Sequence, residues 1–317
     1  MKLHKYIGFA IALLLADTCA AAGQDYPFKP IRILASEPGA QVDFVARRIS
    51  QGLTTSLSQP IIVDNRPGFI AVETAAKAPA DGYTLVIYAS SVWVSPLLQK
   101  VSFDPVRDLS PVTLATNAPL FLFMHPSVPA RTVKELIALA KARPGELNYG
   151  SSSAGTANHL AAELFKTMAS VDIVRIPYKG TGPAAIGLVA NQVQMMFGSA
   201  ASGITQVKAG RLRLLAVGSA QPSAIAPEVP TLAASGVPGY EAAAQSCVWA
   251  PARTPAAIVQ RLHREIVRVL NEPDVKEKLL SAGLETVGMT PEQTAAYIKS
   301  DIVKWTKLIK VAGIKAE

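Results

Sequence analysis

The densest set of groups able to bind or attack is Asn148-Tyr149-Gly150-Ser151-Ser152-Ser153-Ala154-Gly155-Thr156. It follows a short strand pattern and opens a helix whose apolar residues are Leu160, Leu164, Phe165 and Met168. Small residues let a ligand approach the backbone, and the first N–H groups of a helix have no intrahelical acceptor. An anion placed there gains free donors, serine hydroxyls and the favourable end of the helix dipole. The pattern predicts a carboxylate or phosphate site built without a formal positive charge.

The same stretch invites a second chemistry. Gly150-x-Ser152-x-Ala154 approximates G-x-S-x-G, the strand-to-helix turn that presents a nucleophilic serine. Such a serine needs a histidine and an acid, which in that fold come later in the chain. After Ser152 only His159 and His263 follow. His159 falls within the helix that Ser152 would open, and His263 lies in an amphipathic pattern rich in Lys and Arg. The fifth motif position is alanine. The residues therefore predict a binding protein and no enzyme, with a secreted serine hydrolase using Ser152 as the alternative.

Three more small, hydroxyl-bearing loops follow strand patterns. Pro177-Tyr178-Lys179-Gly180-Thr181-Gly182-Pro183 offers a ring, a charge and open backbone. Gly198-Ser199-Ala200-Ala201-Ser202 and Ala89-Ser90-Ser91 repeat the small-residue character. The first such loop, Ser36-Glu37-Pro38-Gly39-Ala40-Gln41-Val42-Asp43, adds Asp43 as an N-cap and Glu37 as a hydrogen-bond acceptor. In open α/β sheets a ligand sits beyond the carboxyl ends of the strands, where all these loops gather.

The elements that must carry these loops alternate. Ile31 to Ala35, Ile61 to Val63, Thr84 to Tyr88, Leu120 to Met124, Asp172 to Ile176, Gln194 to Phe197 and Leu212 to Val217 read as strands. Helical patterns fall between them near 43–57, 69–78, 132–142, 156–168, 180–190 and 202–208. That order predicts α/β architecture with mixed, mainly parallel sheets flanked by helices. Thr132 with Glu135, and Thr290-Pro291 with Gln293, read as helix caps, and Thr254 reads as a cap before Pro255. After Ala250 the pattern is helical, with no clear strand.

Half the chain is hydrophobic and 17% is charged, which excludes global disorder. The first residues form a basic start (Lys2, Lys5), an apolar run from Ile7 to Ala16 and Ala20-Ala21-Ala22. That is the layout of a secretory signal peptide, 1–22, and it predicts work outside the cytoplasm. Asp17 and Thr18 fit a lipid anchor at Cys19 poorly. Without that leader Cys247 stands alone, so no intrachain disulfide can form. The net charge of +8 is spread without a dense Lys/Arg run, which argues against nucleic acid. No histidine or cysteine spacing suits a metal, and no cofactor motif is present.

Eight motifs in register tie these features together. They are Tyr26-Pro27-x-Lys29-Pro30-Ile31-Arg32, Asp64-Asn65-Arg66-Pro67-Gly68, Ala80-Asp81-Gly82-Tyr83-Thr84-Leu85 and Asp104-Pro105-Val106-x-Asp108-Leu109-x-Pro111-Val112. His125-Pro126-Ser127-Val128-Pro129, Pro144-Gly145-x-Leu147-Asn148-Tyr149, Pro177-Tyr178-Lys179-Gly180 and Val229-Pro230-Thr231 complete the series. Their order resembles the Bug family, the periplasmic solute-binding receptors of tripartite tricarboxylate transporters.

The resemblance implies a two-lobed Venus-flytrap: lobe I from 23–119 and 235–317, and lobe II from 120–234. It implies a monomer that traps a small carboxylate, a dicarboxylate or aromatic acid, and passes it to membrane permease subunits. A periplasmic sensor partner binding the same ligands is the other reading. By motif match the ligand residues are Ser151, Ser152, Gly155, Thr156, Tyr178, Ser90 and Ser199. The first lobe departs from the family pattern at Gly39-Ala40-Gln41-Val42, where a second glycine and a hydroxyl are usual, and at Phe69-Ile70-Ala71. Gly39 and Phe69 therefore join the site residues, and Phe69 predicts a distal pocket for an apolar or aromatic group.

Overall fold

The computed structural model describes residues 26–315; the expected leader, its cleavage site and Cys19 lie outside the described residues. The chain opens with β1 (Ile31–Ala35), α1 (Gln41–Leu57), β2 (Ile61–Asn65), α2 (Ile70–Ala76), β3 (Thr84–Ala89) and the short α3 (Ser91–Val94). After a 3-10 turn at Ser95–Leu97 comes β4 (Leu109–Pro119). The chain then builds β5 (Phe121–Met124), α4 (Val133–Ala142), β6 (Asn148–Ser151), α5 (Ala157–Ala169), β7 (Val174–Pro177) and α6 (Thr181–Val189). It continues through β8 (Met195–Gly198), α7 (Ala200–Lys208) and β9 (Arg213–Val217). The last elements are β10 (Ala243–Pro251), α8 (Ala256–Leu270), α9 (Pro273–Ser281), β11 (Glu285–Thr286) and α10 (Pro291–Ala312).

These strands form two sheets, ordered β11-β4-β10-β3-β1-β2 and β7-β6-β8-β5-β9, each flanked by helices. The result is two α/β lobes. β1 pairs in parallel with β2 and β3, and β6 with β7 and β8. β10 runs antiparallel to β3 and β4, β11 to β4, and β5 to β8 and β9. The sheets are thus more evenly mixed than the alternation of strand and helix patterns suggests. The cause is β4 and β10, the two longest strands, which the sequence pattern conceals. Pro111 and Pro119 interrupt β4, and Ala, Gln and Ser dilute β10. Proline and small polar residues are poor strand signals.

These two strands also carry the chain between lobes. β4 leads through Leu120 into β5, and the return reaches β10 through Ala242. Gly218 ties the crossings together. Its N–H donates to the Leu120 carbonyl at 2.7 Å, and its carbonyl accepts from the Ala242 N–H at 2.8 Å. A Cβ at Gly218 would stand 2.8 Å from the Ala242 carbonyl oxygen, so only glycine fits this bridge. Tyr240 still belongs to the five-stranded lobe. Its ring stacks on Phe197 at 6.0 Å and its hydroxyl donates to the Ala161 carbonyl. The segment from 235 to 240 therefore packs with the lobe that precedes it, later than the expected 234/235 boundary.

The predicted caps form with small differences. Thr290 and Gln293 make the reciprocal box that starts α10. Thr132 accepts from the Glu135 N–H, while the Glu135 carboxylate reaches the Arg131 N–H instead. Thr254 is no cap: its hydroxyl donates back to the Pro251 carbonyl and Pro255 takes the N-cap position. The apolar stripes of α8 and α10 are core, with Leu262, Ile266, Leu270, Ile298 and Trp305 all buried. Cys247 is a free and fully buried thiol.

Candidate functional site

The folding of βα units places loops at strand ends, and here four of them meet at one cleft of about 470 Å³. The volume lies within the range of small-molecule sites. Its walls are Gln41 from the first lobe, Leu120 and Ala244 beside the crossings, and residues of the three loops after β6, β7 and β8. No lining residue is ionisable.

Four helices begin here: α1 at Gln41, α5 after Thr156, α6 at Thr181 and α7 after Ser199. Their N-cap residues are Ala40, Thr156, Gly180 and Ser199, and none makes a side-chain cap hydrogen bond. Thr132 and Thr290, which do not line the cleft, do cap their helices. Free N–H groups and positive dipole ends from four helices thus converge on a neutral wall. Gly180, at φ 121°, gives the β7–α6 turn a conformation that L side chains rarely adopt.

Ser152 and Thr156 line the cleft and are coupled through Asn158. The Ser152 hydroxyl lies 2.8 Å from Asn158 Oδ1 and 2.9 Å from Thr156 Oγ1. Thr156 Oγ1 lies 2.7 Å from the same Oδ1, which also accepts the His159 N–H at 3.0 Å. That crowd of donors fixes the carboxamide orientation. Asn158 Nδ2 is buried and has no hydrogen-bond partner among the described residues. Ser199 also lines the cleft, and its carbonyl accepts from Ser202 Oγ at 2.6 Å.

The other sequence candidates sit elsewhere. Ser151 is fully buried and its hydroxyl accepts from Arg175 Nε at 2.8 Å. Gly155, at φ 77°, turns the loop. Its N–H donates to His159 Nδ1, and a Cβ there would lie 2.2 Å from Leu98 of the first lobe. Tyr178 folds back over α6, close against Gly187, with its hydroxyl toward Gln192. Ser90 donates its backbone N–H to the Gln245 carbonyl, and its side chain is not in the lining. Gly39 gives its N–H to Asp43. Phe69 packs between Tyr88 and Phe103, with ring centroids 5.7 and 5.5 Å away, and does not line the cleft. The aromatic distal pocket expected from Phe69 therefore loses its structural basis.

Sequence reasoning placed Gln41, Thr181, Gly182 and Ser202 in ligand loops without naming them as site residues, and it missed Asn158 in the lining. It also missed a charge. Arg175 stands behind the first loop, donating to the Ser151 hydroxyl and, at 2.8 Å, to the Ser152 carbonyl. The wall is neutral, yet one guanidinium supports it from beneath. Ser152 makes its hydroxyl contacts to Thr156 and Asn158, while His159 Nδ1 is occupied by the Gly155 N–H. That arrangement is not a serine–histidine pair, and the hydrolase alternative fails on it.

The first-lobe loops are knotted by carboxylates. Glu37 accepts the Gly68 N–H at 2.8 Å, and Asp43 accepts from Gly39, Arg47 and Asn65. Burial opposes ionisation of Asp43, but hydrogen bonds from Arg47, Gly39 and Asn65 outweigh it and hold the carboxyl below its ordinary value. Its contribution to stability is complete above the unfolded carboxyl range and is lost as pH falls through the depressed folded value. Wild type is expected to exceed Asp43→Asn in unfolding free energy by about 1–3 kcal/mol at neutral pH. In urea titrations the gap should close as pH falls below about 4. A gap unchanged in acid would assign the effect to packing.

The chain matches the family described as the tripartite tricarboxylate transporter family receptor over residues 45–314. It is similar to protein BugT of Bordetella pertussis, 34% identical over 322 residues, spanning 99% of this chain and 98% of BugT. It is also similar to an R. palustris structure with adipate, 34% identical, with a TM-score of 0.75 over 92% of this chain and 99% of that one. MatC from Rhodopseudomonas palustris, solved with bound malate, is 26% identical, with a TM-score of 0.69 over 90% of this chain and 100% of that one.

Proposed function

This chain belongs to the tripartite tricarboxylate transporter receptor family, binding proteins and not enzymes, and on that premise we propose that it captures a small carboxylate between its lobes. The receptor works in the periplasm as a monomer and delivers its ligand to the membrane permease subunits of a tripartite transporter. One observation carries the ligand class: four uncapped helix N-termini converge on a cleft whose lining has no ionisable side chain. Such a site favours an anion and gives an ammonium group no counter-ion.

Magnitudes agree. A micromolar receptor needs about 8 kcal/mol. Each helix terminus contributes ~0.3–1 kcal/mol, and charge-assisted hydrogen bonds add roughly 1.5–3 kcal/mol each. Three or four such bonds suffice after the cost of association and closure. With Phe69 turned into its own aromatic cluster, the reading narrows to an aliphatic acid such as those held by the similar structures. The crossings at Leu120 and Ala242, bridged by Gly218, serve as the hinge.

A thermal-shift panel tests this on mature protein stripped of ligand by unfolding and refolding. It spans aliphatic dicarboxylates, aromatic acids, amino acids and the matching amides. Saturable stabilisation by an aliphatic acid, about 2.7 kcal/mol at a hundredfold excess over Kd, is expected, and none from its amide. Stabilisation by acid and amide alike would overturn the anion reading.

A further inference from the structure

A second cavity lies on the six-stranded lobe and shares no lining residue with the cleft. It stands beside an irregularity in the sheet. Val248 of β10 pairs with Thr113 of β4, but Trp249 pairs with Pro111, which leaves Val112 as an extra residue. A bulge of this kind re-aims side chains, and Pro111 has no N–H to continue the ladder. The crevice, about 230 Å³, has Leu109, Trp249 and Ile298 as its buried floor. Pro105, Val106 and Lys299 add to its walls, and Val106 is 53% exposed, so the space opens to solvent.

Two donors here lack acceptors. The Trp249 indole N–H is buried and has no hydrogen-bond partner among the described residues, whereas those of Trp93 and Trp305 both donate to Asp301. Leaving a buried donor unmet is costly, so the indole calls for an acceptor. Lys299 is exposed and forms no ion pair among the described residues. No acidic residue lines the crevice. Asp108, next to Leu109, is paired with Arg107, and Glu292 on α10 accepts from Gln260. We propose that this crevice is a second ligand site, for a small aromatic monoacid. Its ring lies against Pro105, Val106, Leu109 and Ile298, and its carboxylate accepts from the Trp249 N–H and the Lys299 ammonium. The size fits, since a dry apolar cavity of about 150 Å³ holds benzene. The site is independent of the carboxylate bound in the cleft.

Benzoate is the probe. In mature protein labelled with heavy nitrogen at tryptophan, the three indoles give three N–H resonances, and Trp249→Phe assigns one of them. That resonance is expected to move saturably with benzoate, with a Kd of about 1 mM or tighter, and those of Trp93 and Trp305 to move less. Lys299→Gln should weaken benzoate about tenfold, and benzamide, which keeps the ring and loses the charge, should bind wild type about tenfold more weakly than benzoate. Asn158→Asp acts in the cleft and should leave the benzoate titration unchanged. A Trp249 resonance unmoved at about 10 mM benzoate would overturn the site, water then being enough for the indole. Benzoate affinity lost in Asn158→Asp and kept in Lys299→Gln would put benzoate in the cleft and overturn it too. Equal affinity for benzamide would overturn the acid as its ligand. Lys299 is exposed, so calorimetry on Lys299→Gln reads the site even where Trp249→Phe does not fold.

Discussion

Mature protein carrying Asn158→Asp is expected to melt like wild type and to bind its carboxylate more than about a hundredfold more weakly. The substitution is isosteric. An aspartate oxygen still accepts from Ser152, Thr156 and the His159 N–H, so the first turn of α5 keeps its hydrogen bonds. A negative charge in that turn also suits the helix dipole. The cleft is where the change is costly. It places a carboxylate in a wall that has no ionisable group and removes Nδ2, the one buried donor without a partner there. Two unit charges roughly 5 Å apart at an effective dielectric of about 20 repel by about 3 kcal/mol. Calorimetry beside a melting curve checks both halves. Wild-type affinity in Asn158→Asp would place the ligand anion away from α5.

Asp301→Ala is expected to lower unfolding free energy by about 3–5 kcal/mol, the largest stability loss anticipated outside the cleft. Asp301 is 4% exposed and accepts from the indole N–H of Trp93 at 2.8 Å and of Trp305 at 2.7 Å, while Lys304 Nζ lies 2.6 Å from its other oxygen. Truncation strands two buried indole donors at once, while the Lys304 ammonium keeps the Glu241 carbonyl. It also loosens α10, which packs on β4 and reaches α5 of the other lobe. Urea unfolding followed by tryptophan fluorescence reads the change, since two of the three tryptophans touch this carboxylate. Asp301→Asn keeps an acceptor for an indole and should lose less. A loss below about 1 kcal/mol in Asp301→Ala would mean that water reaches the indoles when the carboxylate leaves.

Ser151 and Ser152 show where local reading stops. Both belong to the same small, hydroxylic motif, and the motif alone makes them equal candidates. Successive residues of an extended segment point to opposite sides. The fold sends Ser151 inward to Arg175 and Ser152 into the cleft. Arg175 itself lies on β7, and parallel pairing sets Arg175 opposite Tyr149, beside the loop it supports. No spacing in the sequence announces that neighbour. Phe69 fails for a similar reason. Its apolar ring looked available to a ligand, but Tyr88 and Phe103 meet it first.

Residue order alone carries what short-range physics controls. Apolar runs and periodicities set the helices and most strands. Thr290 with Gln293 set the start of α10, and small residues after strands set where backbone would be left open. Eight motifs in order set the family. The assembled fold supplied the rest: the antiparallel pair β4 and β10, the bridge at Gly218, and the meeting of α1, α5, α6 and α7 at one neutral cleft. It also decided that Gln41 and Asn158 face that cleft while Ser151, Tyr178 and Phe69 do not. These depend on register, strand pairing and lobe packing between residues up to a hundred or more positions apart. Local propensity carries no record of such contacts, because their free energy exists only once the distant partner has arrived.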